Sequence, residues 1–254
     1  MACGDDEFAV KNCLIMNLDT RQDLWADLQP QIEKMERAGI DVAREPGINY
    51  KDTPNLLSTL IKEDFLSLKA SGLRKNVEHM KGELGCARAH FNALKRVVDN
   101  DWDSCLIMED GVEFLHDDFA ALRIKTWLDI SICYPHLKED AEGAQAYIVT
   151  QQGARKMLKA LFPLELPYDI ALRNAVRGFN LAHHFNEPYL VKRRDKRESS
   201  IGLGANECIQ DRCKLTWQER SAKQSMVPLY ERIIRGLIEA RSDIAFEETL
   251  FAEQ

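Results

Sequence analysis

An α/β fold is what this sequence predicts, on three observations. The chain opens as strand, helix, strand. Its best strand candidates are short continuous apolar runs, the mark of strands buried on both faces. Between those runs lie stretches whose apolar residues recur at helical spacing. The first strand is CLIM at 13–16, closed by Asn17. Asp19 or Thr20 then caps a helix over 21–37, with Leu24, Trp25, Leu28, Ile32 and Met35 on one face. Pro30 falls inside that pattern and is expected to break or kink it. Gly39 ends the helix, and 40–42 gives a second short strand.

A helix is expected after Thr53-Pro54, followed by a basic polar connection at 72–81 and a helix over 83–98. DNDWD is a turn, and the strand 104–108 runs straight into Glu109, Asp110 and Gly111. Further on, the pattern predicts a helix after Asp117-Asp118, strands at 127–134 and 146–150, and an amphipathic helix at 151–161. A helix at 168–177 and strands at 181–185 and 189–191 come next. A basic stretch then precedes a long closing helix over 217–238.

Bulk properties narrow the function. The chain has 254 residues, enough for one large domain or two small ones. Its 41 acidic residues exceed 34 basic ones, a formal charge of −7 that argues against sequence-independent nucleic-acid binding. No apolar run approaches a membrane span, and the acidic start MACGDDEF is unlike a signal peptide, so the expectation is a cytoplasmic protein without leader or anchor. The seven cysteines include no CxxC pair and several sit in apolar runs, which reads as reduced thiols. Only Cys208 and Cys213 are close enough in a polar loop to suggest a bridge.

Five ordered segments resemble glycosyltransferase family 25, which includes lipopolysaccharide-biosynthesis proteins and collagen galactosyltransferases. IMNLDTRQD at 15–23 is similar to the family's opening strand and its Asn-Leu-Asp-x-Arg turn. GELGCARAH at 82–90 resembles the Gly-Glu-hydrophobic-Gly-Cys-x-x-Ser-His signature and is the most specific match. LIMEDGVEF at 106–114 stands where the family has an acidic strand end, usually Glu-Asp-Asp. GAQAYIVTQQGARKML at 143–158 with PYD at 167–169, and more weakly Ser199-Ser200-Ile201, complete the series. Two residues depart from the pattern: Ala89 replaces Ser, and Gly111 replaces the second Asp of the triplet.

The resemblance implies a nucleotide-diphospho-sugar transferase (GT-A-like) fold with a mixed, mainly parallel sheet; together with the long C-terminal helix read from the apolar spacing, this gives one domain over 10–241 and tails at 1–9 and 242–254. It implies hexose transfer from a UDP-hexose, UDP-galactose or UDP-glucose, to a hydroxyl of a glycan or of a hydroxylated protein side chain, with inversion. Asp110 would meet Mn²⁺ or Mg²⁺, and Glu109 a metal water or the ribose. The plain alternative for Glu109-Asp110-Gly111 is a polar turn after a strand. Asn17, Asp19 and Arg21 would line the same crevice, against a capping role for Asp19 and a solvated Arg21. Gly82 and Gly85, read as the start of a helix, would let backbone amides approach an anion, with Glu83 beside them. Cys86 and His90, four apart, share a helical face. Their substrate-contact reading stands against a buried core histidine and against a cysteine hydrolase. Asp169 is the candidate general base, against a helix N-cap. Lys192, Arg193, Arg194, Lys196 and Arg197 are either a lid over the diphosphate or a solvated loop. The non-enzymatic alternative is a degenerate transferase fold that binds a nucleotide or a partner protein.

Overall fold

The computed structural model describes residues 6–51, 53–67, 70, 77–133, 144–178, 181–186 and 188–194. In chain order the elements are β1 (Glu7–Ala9), β2 (Asn12–Asn17), α1 (Gln22–Arg37), β3 (Asp41–Pro46), α2 (Leu56–Lys62), α3 (Val77–Asp99), β4 (Ser104–Glu109) and β5 (Val112–Phe114). A 3-10 turn over Phe119–Ala121 leads to β6 (Arg123–Lys125), β7 (Ile130–Ile132), β8 (Ala146–Thr150), α4 (Gln151–Leu161), α5 (Tyr168–Arg177), β9 (His183–Phe185) and β10 (Val191–Arg193).

Six strands form one sheet in the order β3-β2-β4-β8-β7-β9. β2 runs parallel to both β3 and β4, and β7 parallel to β9, while β8 is antiparallel to both its neighbours. The sheet is therefore mixed and mainly parallel. Both faces are covered, which explains the continuous apolar runs. Leu14, Met16, Cys105, Ile107, Tyr147 and Val149 share one core with residues of α3, α4 and α5. Their sequence neighbours Cys13, Ile15, Leu106, Met108 and Ile148 share the other with α1, β5 and the 3-10 turn. Strand alternation sends successive side chains to opposite layers, so each run serves both.

Several boundaries differ from expectation. β1 pairs antiparallel with β6, so residues 7–9 belong to the fold rather than to a tail. α1 continues through Pro30, whose missing amide costs one bond without ending the helix. Its N-cap position is Arg21, with no side-chain cap, in place of Asp19 or Thr20. α3 begins at Val77, taking in part of the expected connection. The helix after Asp117-Asp118 is a single 3-10 turn, because Leu122 is already extended and leads into β6. The strand expected over 127–134 shrinks to β7, with Trp127 exposed in the turn before it. The expected closing helix, Cys208, Cys213, Ser199 to Ile201, and the 242–254 tail lie outside the described residues.

One close approach locks α4 onto the sheet. Thr150 Oγ1 accepts from the Gly153 amide at 3.1 Å and donates to the Leu128 carbonyl at 2.9 Å. This seats Gly153 on Asp129, where an added Cβ would lie 1.9 Å from the Asp129 carbonyl oxygen. Gly153→Ala should therefore destabilise the protein by about 3 kcal/mol or more, as overpacking against rigid backbone does. A lower denaturant midpoint at unchanged slope would bear this out; an unchanged midpoint would contradict it.

Candidate functional site

Parallel pairing aligns the carboxyl ends of β2, β3 and β4, and the loops beyond them meet. Asn17 ends β2 and is 1% exposed. Its amide nitrogen donates to Asp110 Oδ2 at 2.7 Å and to the Arg21 carbonyl at 3.0 Å. The Asp110 amide donates to the Met16 carbonyl at 3.1 Å, so backbone as well as side chain ties the two loops. Arg21 grips Asp23 through two hydrogen bonds, 3.0 and 3.2 Å. Its charge also reaches Asp110. Burial pushes the Asp110 carboxyl up to about 6; the Asn17 hydrogen bond opposes this, Glu109 adds to it, and Arg21 opposes it.

Arg44, from β3, is the organising residue that the sequence reading missed. It donates to Asn17 Oδ1 and to the Asn17 carbonyl, both at 2.9 Å, and forms an ion pair with Asp19. Asp19 thus holds the loop through Arg44 instead of capping α1. The expected strand stopped at residue 42, so Arg44 fell beyond it, where a lone arginine gives no sign of which loop it spans.

A second group lies on the other side of the same strand end. Glu109, about one-third exposed, faces α3. Its Oε1 stands 3.8 Å from His90 Nε2 and accepts from the Cys86 thiol at 3.9 Å. His90 is fully buried, stacked on Tyr168 with centroids 4.1 Å apart, and its Nδ1 shares a 3.0 Å hydrogen bond with the Tyr147 hydroxyl. The Tyr147 and Tyr168 hydroxyls in turn lie 2.9 Å apart. Burial lowers the His90 pKa, against the pull of Glu109, which keeps the ring neutral near pH 7. Burial drives the Cys86 thiol upward, and Glu109, Asp169 and Glu83 push the same way. A nucleophilic cysteine needs the opposite shift, so the cysteine-hydrolase reading fails. His90 has no exposed surface, while its neighbours Glu109 and Cys86 are both partly exposed.

The glycine reading needs correction. Gly82 and Gly85 lie well inside α3, where backbone amides are already engaged, so they offer no helix-start anion site. Gly85 instead allows the helix to touch the loop after β3: a Cβ there would sit 2.2 Å from the Ile48 carbonyl oxygen. That contact sets Cys86 and His90 beneath Glu109. Glu83, on the same turn, is buried. Asp169 is in the first turn of α5, whose N-cap position is Pro167, so the N-cap alternative does not hold. Asp169 Oδ1 accepts from the Ile170 amide at 2.9 Å, and its charge acts on Cys86. Lys192 and Arg193 are fixed in β10 against β5, and Arg194 donates its amide to the Gly111 carbonyl at 3.0 Å. That portion of the basic run is not a loose lid; Lys196 and Arg197 lie outside the described residues.

The model of Glycosyltransferase family 25 (LPS biosynthesis protein) matches residues 10–129. That stretch is a little under half of the chain and is what this chain shares with the family by similarity. A solved structure of Drosophila β-1,4-galactosyltransferase 7, a mutant in complex with manganese, UDP-Gal and xylobiose, is 11% identical, with a TM-score of 0.39. The similarity covers 85% of this chain and 79% of that one. It is too remote to carry a substrate across. No curated protein matches. Within the family 25 segment fall Asn17, Asp19, Arg21, Cys86, His90, Glu109 and Asp110; Asp169 lies beyond it. No described helix is long and apolar enough to cross a membrane.

The family 25 acidic turn has a measurable signature. A carboxyl raised to about 6 in the fold, from 3.8, favours the folded state when protonated. That stability is present below the unfolded value and is lost as pH rises toward the folded value. The loss is on the order of 2–3 kcal/mol. Asp110→Asn should remove it, so the variant's melting temperature should overtake the wild type's between pH 4 and pH 7. Parallel curves for the two proteins would contradict this.

Proposed function

We propose that this chain transfers a hexose from a UDP-sugar, UDP-galactose or UDP-glucose, to a hydroxyl of a glycan or protein side chain, with inversion at C1. The observation that carries the reading is the junction of Asn17, Arg21 and Asp110 at the carboxyl ends of two parallel strands, within the family 25 segment. In open α/β sheets such strand ends form the ligand crevice. In this reading Arg21 turns its guanidinium to the diphosphate, and Asn17 with Arg44 keeps the loop in place for it. Asp19, Glu83 and the Gly82–Gly85 turn support the cleft wall, and Glu109 faces the ribose.

The residues fit a hard divalent cation, Mn²⁺ or Mg²⁺, shared with the diphosphate. Asp110 presents a half-buried carboxylate oxygen donor at the strand end, held by Asn17 and raised in pKa chiefly by burial. Such an ion, when bound, supplies charge neutralisation for the departing diphosphate. Asp169 takes the acceptor proton as the hydroxyl oxygen bonds to C1, while the bond from C1 to the diphosphate oxygen breaks and its electron pair leaves with the UDP. The four described cysteines are all free, which supports a reducing, cytoplasmic setting.

Thermal-shift screening against nucleotide sugars, with and without Mn²⁺, tests the donor. A UDP-hexose should raise the melting temperature by mass action, and Arg21→Ala should abolish the rise. A panel without any stabilising nucleotide would overturn the reading and leave the partner-binding alternative. Asp169→Asn should lower UDP release in the presence of acceptor by about 10²–10⁴-fold while preserving donor-induced stabilisation. Near-native turnover would remove the base. A Cβ at Gly111 meets no atom within 4 Å, and its backbone is not left-handed. Gly111→Asp should therefore fold normally and tighten Mn²⁺-dependent donor binding; unchanged metal dependence would argue that Asp110 holds no ion.

A further inference from the structure

The cluster beneath Glu109 has a chemistry different from the oxygen-rich turn at Asp110. The Cys86 sulfur, His90 Nε2 and a Glu109 oxygen all lie within 4.8 Å of one another. Cys86 and His90 are one helical turn apart on α3, and Glu109 closes the third side from the end of β4. His90 Nε2 is fully buried, has no hydrogen-bond partner, and is turned toward Glu109. A buried imidazole nitrogen without a partner is costly in a finished core. We propose that Cys86 Sγ, His90 Nε2 and Glu109 form a binding site for one thiophilic divalent cation of the Zn²⁺ class.

Size, softness and support agree. Zinc bonds of about 2.0–2.3 Å place tetrahedral ligand atoms roughly 3.3–3.6 Å apart. The observed separations from Glu109 Oε1 are 3.8 and 3.9 Å, and all three atoms lie within 4.8 Å of one another, so an ion draws them together by side-chain rotation of Cys86 and Glu109 toward His90. Sulfur plus imidazole selects zinc-like ions over Mg²⁺ and Mn²⁺, which separates this site from the one at Asp110. His90 Nδ1 shares its hydrogen bond with the Tyr147 hydroxyl, itself linked to Tyr168; the tautomer in which Nδ1 donates is the one that frees the Nε2 lone pair for the ion. Glu109 is partly exposed, so an ion enters from the cleft and keeps one open position there. On binding, the thiol proton leaves to solvent and the sulfur binds as thiolate. This inference does not depend on the transfer reaction.

The test is Co²⁺ titration of the full-length, reduced, metal-stripped protein without nucleotide. A sulfur-to-cobalt charge-transfer band and tetrahedral d–d bands should saturate at one equivalent. Zn²⁺ should erase them and Mg²⁺ should not. Cys86→Ser should lose the charge-transfer band. Glu109→Gln, altered at a partly exposed group, should fold and bind Co²⁺ at least about tenfold more weakly. The assignment is overturned if the wild type shows no such band, if Cys86→Ser keeps it, or if Glu109→Gln binds as tightly as the wild type. Should Cys86→Ser not fold, the Glu109→Gln titration decides.

Discussion

A buried amide must have its hydrogen bonds, and the candidate site is arranged around one such amide. Asn17 donates to a carboxylate and to a backbone carbonyl, and accepts from a guanidinium. Each partner comes from a different segment: the acidic turn after β4, the entry to α1, and β3. An apolar residue here would leave the Asp110 carboxylate, already short of solvation, without its nearest donor. The polar geometry of three loops therefore depends on one side chain held by parallel strand pairing.

The second group depends on a different constraint, the approach of α3 to the loop after β3. With only a hydrogen at Gly85, the helix lies close enough to set Cys86 and His90 under the strand end. The stacked His90 and Tyr168 rings, bonded through Tyr147, then form a stiff floor. Glu109 touches this floor and is itself about one-third exposed. It links a buried, soft set of groups to an exposed, hard one.

Much of this was legible in the sequence. The runs CLIM at 13–16 and SCLIM at 104–108 announce buried strands because layers on both faces need apolar partners. α4 and α5 fell on the expected residues, since Thr150 can cap and Pro167 can precede a helix. The adjacency of Arg21 and Asp110 followed from strand parallelism. The rest depended on tertiary context. Nothing local reveals that β1 finds β6, because pairing between segments over a hundred residues apart leaves no periodic trace. The helix start at Val77 was obscured by polar, basic composition, and Gly85 looked like a ligand contact when its close neighbour is backbone. Arg44 was invisible because a single arginine in a strand does not announce which loop it spans.

Glu109 and Asp110 are adjacent in sequence, yet the end of β4 delivers one to each layer of the molecule. A slip of that strand by one residue against β2 would turn each carboxylate to the other layer and bring Met108 to the place of Glu109, or Gly111 to the place of Asp110. Chemical identity at this edge is thus encoded as parity along a strand. An insertion or deletion anywhere between Ser104 and Asp110 would scramble both carboxylate environments at once, even if every side chain of the candidate site were retained.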